Sequence, residues 1–308
     1  MIPLKIFKPL VTLVLVLLFF SAGETHPGYG IVSDGKGKIY FTDIGRETIW
    51  KMDNNNIIST VTTGKWTHQL FLDSQNNLYF TDEESTDNQN GYSFWKISET
   101  GTLTQLIPPR TRDNFPSDIF VMGDNGTLYV ANNTTVFQST DDNHFYPLSL
   151  ADKNQPLEKA KFNSIYSMTM GRDNSIYLID RDKLKRIRNG MVETIAADLI
   201  EENPSNLPIK NAPNIHSINR LFGLALDPDG NIYACYFGNR QVLKISNKRE
   251  LSIFYQSENP WSPVGVVFDD RGLIVKEHGF TEKQGWIGPR IILLREDGEK
   301  EILAEIMQ

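Results

Sequence analysis

The sequence predicts an all-β fold: a six-bladed β-propeller with four-stranded antiparallel blades, preceded by a signal peptide. Three observations lead there. One phrase, made of a hydrophobic strand, a polar turn and then Ile/Leu-Tyr-hydrophobic-x-Asp, is written six times. Each copy is followed by two further strand-like runs before the next begins. The copies recur every 40–55 residues or so, and such a period in a strand-rich chain means a propeller or array.

The N-terminus stands apart from the repeats. Lys5 and Lys8 precede the apolar run Leu10–Phe20, and Ser21, Ala22 and Gly23 follow. A charged start, a short apolar core and a small-residue exit make a secretory signal peptide over 1–23. The run is shorter than the roughly 20 residues a membrane span needs. A secreted or periplasmic propeller over 24–308 is therefore expected, with no membrane span after signal cleavage.

The six copies are Gly30–Asp43, Gln69–Asp82, Ile119–Asn132, Ser167–Asp180, Gly223–Tyr236 and Gly265–His278. Each opens on a short apolar run such as Gly223–Leu226, which suits a strand buried on both faces. Turns rich in Asp, Asn and Gly follow, for example Asp227-Pro228-Asp229-Gly230. These residues supply the positive φ and the side-chain caps of tight hairpins. The return strands carry Tyr40, Tyr79, Tyr129, Tyr177 and Tyr233 at one register, with Val275 in the sixth. A repeated aromatic of this kind is expected to pack between neighbouring blades, each burial being worth about 2 kcal/mol. Runs such as Thr48–Met52 with Ile57–Thr62, and Val242–Ile245 with Leu251–Phe254, supply the outer strands.

Composition narrows the function. The net charge of -7, from 31 basic and 38 acidic residues, argues against a nucleic-acid partner, which needs a clustered positive field. The single cysteine, Cys235, lies inside a strand and reads as a small buried hydrophobe, so stability comes from the core. The chain has no P-loop, GxGxxG, HExxH, paired CxxC or GxSxG motif. Asn125, Asn132 and Asn133 begin glycosylation sequons.

The fifth copy and its continuation, from Gly223, Asp227, Asp229, Gly230 and Tyr233 through Gly238-Asn239-Arg240 to Ile245, resemble an NHL repeat. The other copies are similar to weaker members. The resemblance implies a six-bladed propeller of the NHL and SMP-30/gluconolactonase-like kind. That group includes ligand-binding scaffolds, protein-interaction modules and metal-dependent lactonases, so the fold does not decide the function. SMP-30-like enzymes carry a Glu-Gly-Pro at the first inner strand. Here the matching segment reads His26-Pro27-Gly28-Tyr29-Gly30, without a glutamate, and that metal set cannot be carried over.

Loop lengths separate the two rims. The residue before the first turn and the residue ending the second strand are nine apart in every copy (34/43, 73/82, 123/132, 171/180, 227/236, 269/278), so that rim is uniform. The insertions Glu83–Gly91, Asp152–Ser164, Asp198–Asn219 and Gly279–Pro289 join the other rim. Irregular loops gathered on one face of a rigid scaffold are where binding usually resides. Second strands end there with Asp43, Asp82, Asn132, Asp180, Tyr236 and the pair Glu277 and His278. First strands begin there with Tyr29, His68, Asp118, Tyr166, Arg220 and Trp261. An Asp closing a strand often merely caps the next turn. As a ring, these residues form a mouth expected to bind a small molecule, peptide or protein partner. Asp118, Asn132 and Asp180 are the candidates for holding a divalent cation such as Ca2+ through oxygen ligands. The alternative is a divalent-metal-dependent hydrolase, lactonase- or esterase-like. Whether the chain is an enzyme at all stays open at this stage.

Overall fold

The computed structural model describes residues 27–86, 89–115, 117–140, 143–154, 159–209, 218–295 and 298–306. The expected signal peptide lies outside the described residues. Strands follow one another in sets of four, each set built from one stretch of chain. Blade one comprises β1 (Ile31–Ser33), β2 (Ile39–Asp43), β3 (Thr48–Met52) and β4 (Ile58–Thr63). Blade two comprises β5 (Leu70–Leu72), β6 (Leu78–Thr86), β7 (Gln89–Ile97) and β8 (Leu103–Thr111). Blade three comprises β9 (Ile119–Met122), β10 (Leu128–Ala131), β11 (Val136–Ser139) and β12 (Phe145–Pro147). Blade four has an added outermost strand, β13 (Ala151–Asp152), before β14 (Ile165–Met170), β15 (Ile176–Asp180), β16 (Lys183–Arg188) and β17 (Met191–Ala196). Blade five comprises β18 (Leu221–Leu226), β19 (Ile232–Tyr236), β20 (Gln241–Ile245) and β21 (Leu251–Gln256). Blade six comprises β22 (Trp261–Asp269), β23 (Gly272–Thr281), β24 (Gly285–Leu294) and β25 (Lys300–Glu305). The fold is a six-bladed propeller of antiparallel blades. β13 is the exception in direction, pairing parallel with β17.

The recurring phrase is the inner hairpin of each blade. Its turn Asp works as a cap: Asp227 accepts hydrogen bonds from the backbone N–H groups of Asp229 (3.0 Å) and Asn231 (2.9 Å). Asp34 and Asp73 do the same in their turns. Gly230, at φ 81°, holds the left-handed position that closes the turn, and Asn76 fills the same place at φ 60°. The repeated tyrosine anchors this turn as well: Tyr79 and Tyr233 each donate from the phenol to the turn aspartate at 3.1 Å.

The core is divided among six clusters, one at each seam between neighbouring blades. All five repeated tyrosines sit at these seams, as the register predicts. Cys235 is fully buried in the seam between blades five and six, where burial pushes its thiol pKa up. Inner strands run so close at the axis that side chains barely fit. A Cβ on Gly265 would lie 2.2 Å from the Tyr29 carbonyl oxygen, and one on Gly223 would lie 2.8 Å from the Gly265 Cα.

Among the described residues no strand is exchanged between blades six and one. Their seam is instead joined by apolar packing and a few long-range polar bonds. Ile31, Phe41 and Met52 pack on Ile274, Ile291 and Leu303. Lys276, fully buried on β23, donates to the Gly28 carbonyl (2.7 Å), the Thr42 hydroxyl (2.9 Å) and the Thr42 carbonyl of blade one. Arg46 donates to the Gly288 carbonyl at 3.0 Å.

Two of the expected loops are not loops. In blade two β6 and β7 stay paired beyond Asp82, with Glu83 opposite Tyr92 and Glu84 opposite Gly91. In blade six β23 and β24 extend likewise, and Phe280 meets Trp286 across the strands at 5.5 Å. Cross-strand side-chain pairs extend these hairpins beyond the sheet. Asp152–Ser164 and Asp198–Asn219 fall only partly within the described residues, and the first of them begins in β13.

Candidate functional site

A cleft of about 400 Å3 opens on the rim where inner strands begin. Five blades contribute to it. Tyr29 comes from the approach to β1 and Tyr92 from β7. Arg112, Ser117 and Asp118 come from the connection between β8 and β9. Asn132, Asn133 and Thr134 form the turn after β10, Ile165 and Tyr166 begin β14, and Arg220 and Phe222 stand at the start of β18.

Behind the cleft, Gln69 at the approach to β5 holds Tyr29. Its Nε2 donates to the carbonyls of Phe120 (2.7 Å) and Met168 (2.9 Å), while its Oε1 accepts from the Phe120 N–H (3.3 Å) and the Tyr29 hydroxyl (3.4 Å). One amide thus ties the inner strands of blades three and four to Tyr29 across the axis. Beyond it lies a separate space of about 470 Å3 toward the uniform rim, which Tyr29 and Gln69 also line.

Asp118 and His68 form a close pair, with Nδ1 of the imidazole 2.6 Å from Oδ2 of the carboxylate. Asp118 keeps 19 % of its side chain exposed to the cleft, whereas His68 keeps 9 % and sits behind it. The Ser117 hydroxyl donates to the other carboxylate oxygen at 3.2 Å. Burial, reinforced by the Asp118 charge, raises the pKa of Tyr29 and Tyr92, so both phenols stay protonated hydrogen-bond donors.

Arg220 is held differently. Its guanidinium lies 4.5 Å over the Phe222 ring and 5.3 Å over that of Tyr166. Its Nε is buried and without a hydrogen-bond partner among the described residues. Burial lowers its pKa, against the pull of Tyr166, Tyr29 and Asp118. The other cation of the cleft, Arg112, is already matched: it meets Glu83 at 2.9 Å and lies over Tyr92.

Of the residues the sequence singles out, Tyr29, Asp118, Asn132, Tyr166 and Arg220 converge on the cleft, and His68 backs it. Asn132 contributes mainly as a turn cap, its side chain accepting from the N–H groups of Thr134 (3.1 Å) and Thr135 (2.9 Å). The others do not line the cleft. Asp82 accepts from the Trp66 N–H and meets Lys65, both at 2.8 Å. Asp180 accepts from the N–H groups of Asn163 (2.7 Å) and Ser164 (2.8 Å) and meets Lys185. Both tie the segment leading into an inner strand to the end of the next. Asp43 caps the short turn Ile44–Arg46 and pairs with Arg46 at 2.7 Å. The phenol of Tyr236 donates to Asn219 at 2.9 Å. Glu277 is fully buried between Arg290 (2.6 Å) and the Ser257 hydroxyl (2.6 Å). Burial, with Lys276 and Arg46 close by, pushes the His278 imidazole well below its usual pKa, and it stays neutral inside blade six.

The cation candidates are thereby separated. Asp118 and Asn132 share the cleft while Asp180 is committed elsewhere, and among the described residues no three His, Cys, Asp or Glu side chains gather as a metal site. The donor set does not fit a Ca2+ cage, which takes six to eight oxygens. Sequence reasoning missed Tyr92, Arg112, Ser117 and Phe222. Tyr92 stands on a third strand, where only the extension of the hairpin brings it to the rim. Ser117 adjoins Asp118, and Phe222 lies two residues beyond Arg220, so strand alternation carried one step further would have found Phe222.

The fold defines the class: a six-bladed β-propeller of four-stranded antiparallel blades. No family model matches the chain, and no curated protein matches it in sequence. Solved structures do match it in shape. A streptogramin B lyase is 17% identical, with a TM-score of 0.54 over 90% of this chain and 91% of that one. The calcium-binding protein regucalcin from Agrobacterium tumefaciens is 13% identical, with a TM-score of 0.51 over 81% of each chain. A gluconolactonase from Xanthomonas campestris is 10% identical, with a TM-score of 0.53 over 82% of each. At such identities the likeness is one of fold.

Proposed function

We propose that this protein binds a small molecule in the mouth of the propeller, outside the cytoplasm, as its N-terminal sequence suggests. One observation carries the reading. Polar and aromatic side chains from five blades converge on a cleft of about 400 Å3, within the range usual for ligand sites. Most of the contributing segments begin or end a packed strand, so the scaffold holds them in place relative to one another. The alternative, a metal-dependent lactonase- or esterase-like hydrolase, draws support from the likeness in fold to the gluconolactonase. The donor set described above does not fit its ion, and no metal-assisted step is derived.

The test is a thermal-shift and calorimetric screen of small metabolites against the mature protein, repeated on Asp118→Asn and Tyr166→Ala. Ligands of the mouth are expected to lose about tenfold or more in affinity in one or both variants, the effect of removing a charged hydrogen bond or a stacking ring. Circular dichroism should show the fold intact. Binding that survives both substitutions unchanged refutes the mouth as the site.

A further inference from the structure

We propose that the ligand of this mouth is a small planar carboxylic acid, seated with its carboxylate on Arg220. The inference rests on the reading of the mouth as a binding site and specifies what it recognises. Its starting point is an imbalance. Arg290, which is more deeply buried than Arg220, is matched by Glu277 at 2.6 Å and Glu258 at 3.3 Å. Arg46 has Asp43, Arg186 has Glu193, and Arg112 has Glu83. Arg220 lines the cleft with two aromatic rings for neighbours and forms no ion pair among the described residues.

Burying a guanidinium costs several kcal/mol when no counter-charge accompanies it. Contact with two ring faces returns only part of that cost. The remaining deficit is what an incoming anion would relieve. Asp118, Tyr29 and Tyr166 face Arg220 and act on it through space. Asp118 is already engaged by His68 at 2.6 Å and by Ser117 at 3.2 Å. Both carboxylates around the cleft thus have close partners, Glu83 in Arg112 and Asp118 in His68 and Ser117, while Arg220 forms no ion pair among the described residues.

That arithmetic also selects the anion. One open guanidinium suits a monoanion, and its planar fork matches a carboxylate through two parallel hydrogen bonds. A phosphate dianion would need a second cation, but Arg112 is held by Glu83, and the Asp118 charge on the same wall would repel the surplus. The walls define the rest of the molecule. Tyr166 is partly exposed beside the guanidinium, with the buried rings of Tyr29 and Phe222 next to it, which favours a flat, unsaturated body over a flexible chain.

The test uses phenylacetate and cinnamate with their neutral amides, plus phenyl phosphate. Titration calorimetry and ligand-observed NMR are run on the mature protein and on Arg220→Met, Arg220→Lys and Tyr166→Ala. Each acid is expected to bind about tenfold or more tightly than its amide, the worth of a charge-assisted pair. Arg220→Met should bring the acid down to the level of the amide and leave the amide unchanged. Arg220→Lys should recover part of the loss, and phenyl phosphate should bind more weakly than the acids. Thermal unfolding of Arg220→Met should be no lower than that of the parent, since a buried charge has been removed. Equal binding of acid and amide, or acid binding indifferent to Arg220→Met, overturns the carboxylate assignment and leaves the mouth as a binding site. If none of the probes binds in a way that Tyr166→Ala weakens, the assignment and the reading beneath it both fail.

Discussion

The ring is closed between its first and last blades by a group that titrates, and this makes closure measurable. Lys276→Met removes the buried ammonium that joins β23 to the carbonyls of Gly28 and Thr42. In the folded protein, burial brings the lysine pKa down from 10.5 to about 7, with Asp43 opposing. Between those two values the unfolded chain binds more protons than the folded one, so stability rises with pH across the window. A difference of this size amounts to about 4–5 kcal/mol at pH 7. It falls to nearly nothing above pH 10.5, and methionine does not have it. Methionine instead orphans two buried carbonyls, at about 1–3 kcal/mol each. The two effects nearly cancel at pH 7, where parent and variant should lie within about 2 kcal/mol. Near pH 10 the variant should be less stable by about 2–6 kcal/mol. Urea denaturation of both proteins at pH 7, 8, 9 and 10 reads this directly, because the other titrating groups cancel in the difference. A gap between the two that does not change with pH would refute the reasoning. It would mean that Lys276 stays charged, satisfied by its three oxygen acceptors.

Two other contacts between blades invite substitution. Gly265→Ala drives a methyl group to 2.2 Å from the Tyr29 carbonyl oxygen. Since backbone rather than a pliable side chain must yield, it should cost about 2–4 kcal/mol in thermal or urea unfolding; an unchanged melting curve would contradict the close approach at the axis. Glu193 on β17 meets Arg249 of blade five at 2.5 Å, with Arg186 at 2.8 Å and Lys153 at 3.1 Å. The Arg249 hydrogen bond, with those of Lys153 and Arg186, outweighs burial and brings its carboxyl pKa down to about 2. A lowered carboxylate pKa gives stability that is present above pH 4.5 and lost as the pH falls through about 2. Because Lys153 and Arg249 are about half exposed, Glu193→Gln should cost only about 1–2 kcal/mol at pH 7. That difference should vanish by pH 2 in parallel unfolding titrations, and equal stability at neutral pH would count against the cluster.

Much of this was written locally. The turn aspartates, the left-handed Gly and Asn positions and the seam tyrosines follow from residues within one hairpin, so a repeated phrase was enough to read them. The aspartates closing the second strands were legible as a type but not in their role. Asp82 and Asp180 are consumed by N–H groups some sixteen residues upstream, a contact no local pattern records. The same holds for Glu277, whose partner Arg290 lies across a strand pair. The extended hairpins of blades two and six escaped notice because polar residues such as Glu83 and Glu84 read as loop, while their cross-strand partners hold them as strand.

By itself the sequence determined the number of blades and the order of the four repeated strands within each. Both depend on periodicity and on neighbours close in the chain. Only the tertiary structure decided which rim residues share a cleft and which are used up by the scaffold. It alone showed that Arg220 reaches the mouth against two ring faces and forms no ion pair among the described residues. The reason is physical: whether a charge is open or spent depends on which partner the paired strands and connections of the fold set against it, as for Asp82 with Lys65 and Glu277 with Arg290, and residue type alone does not record that choice.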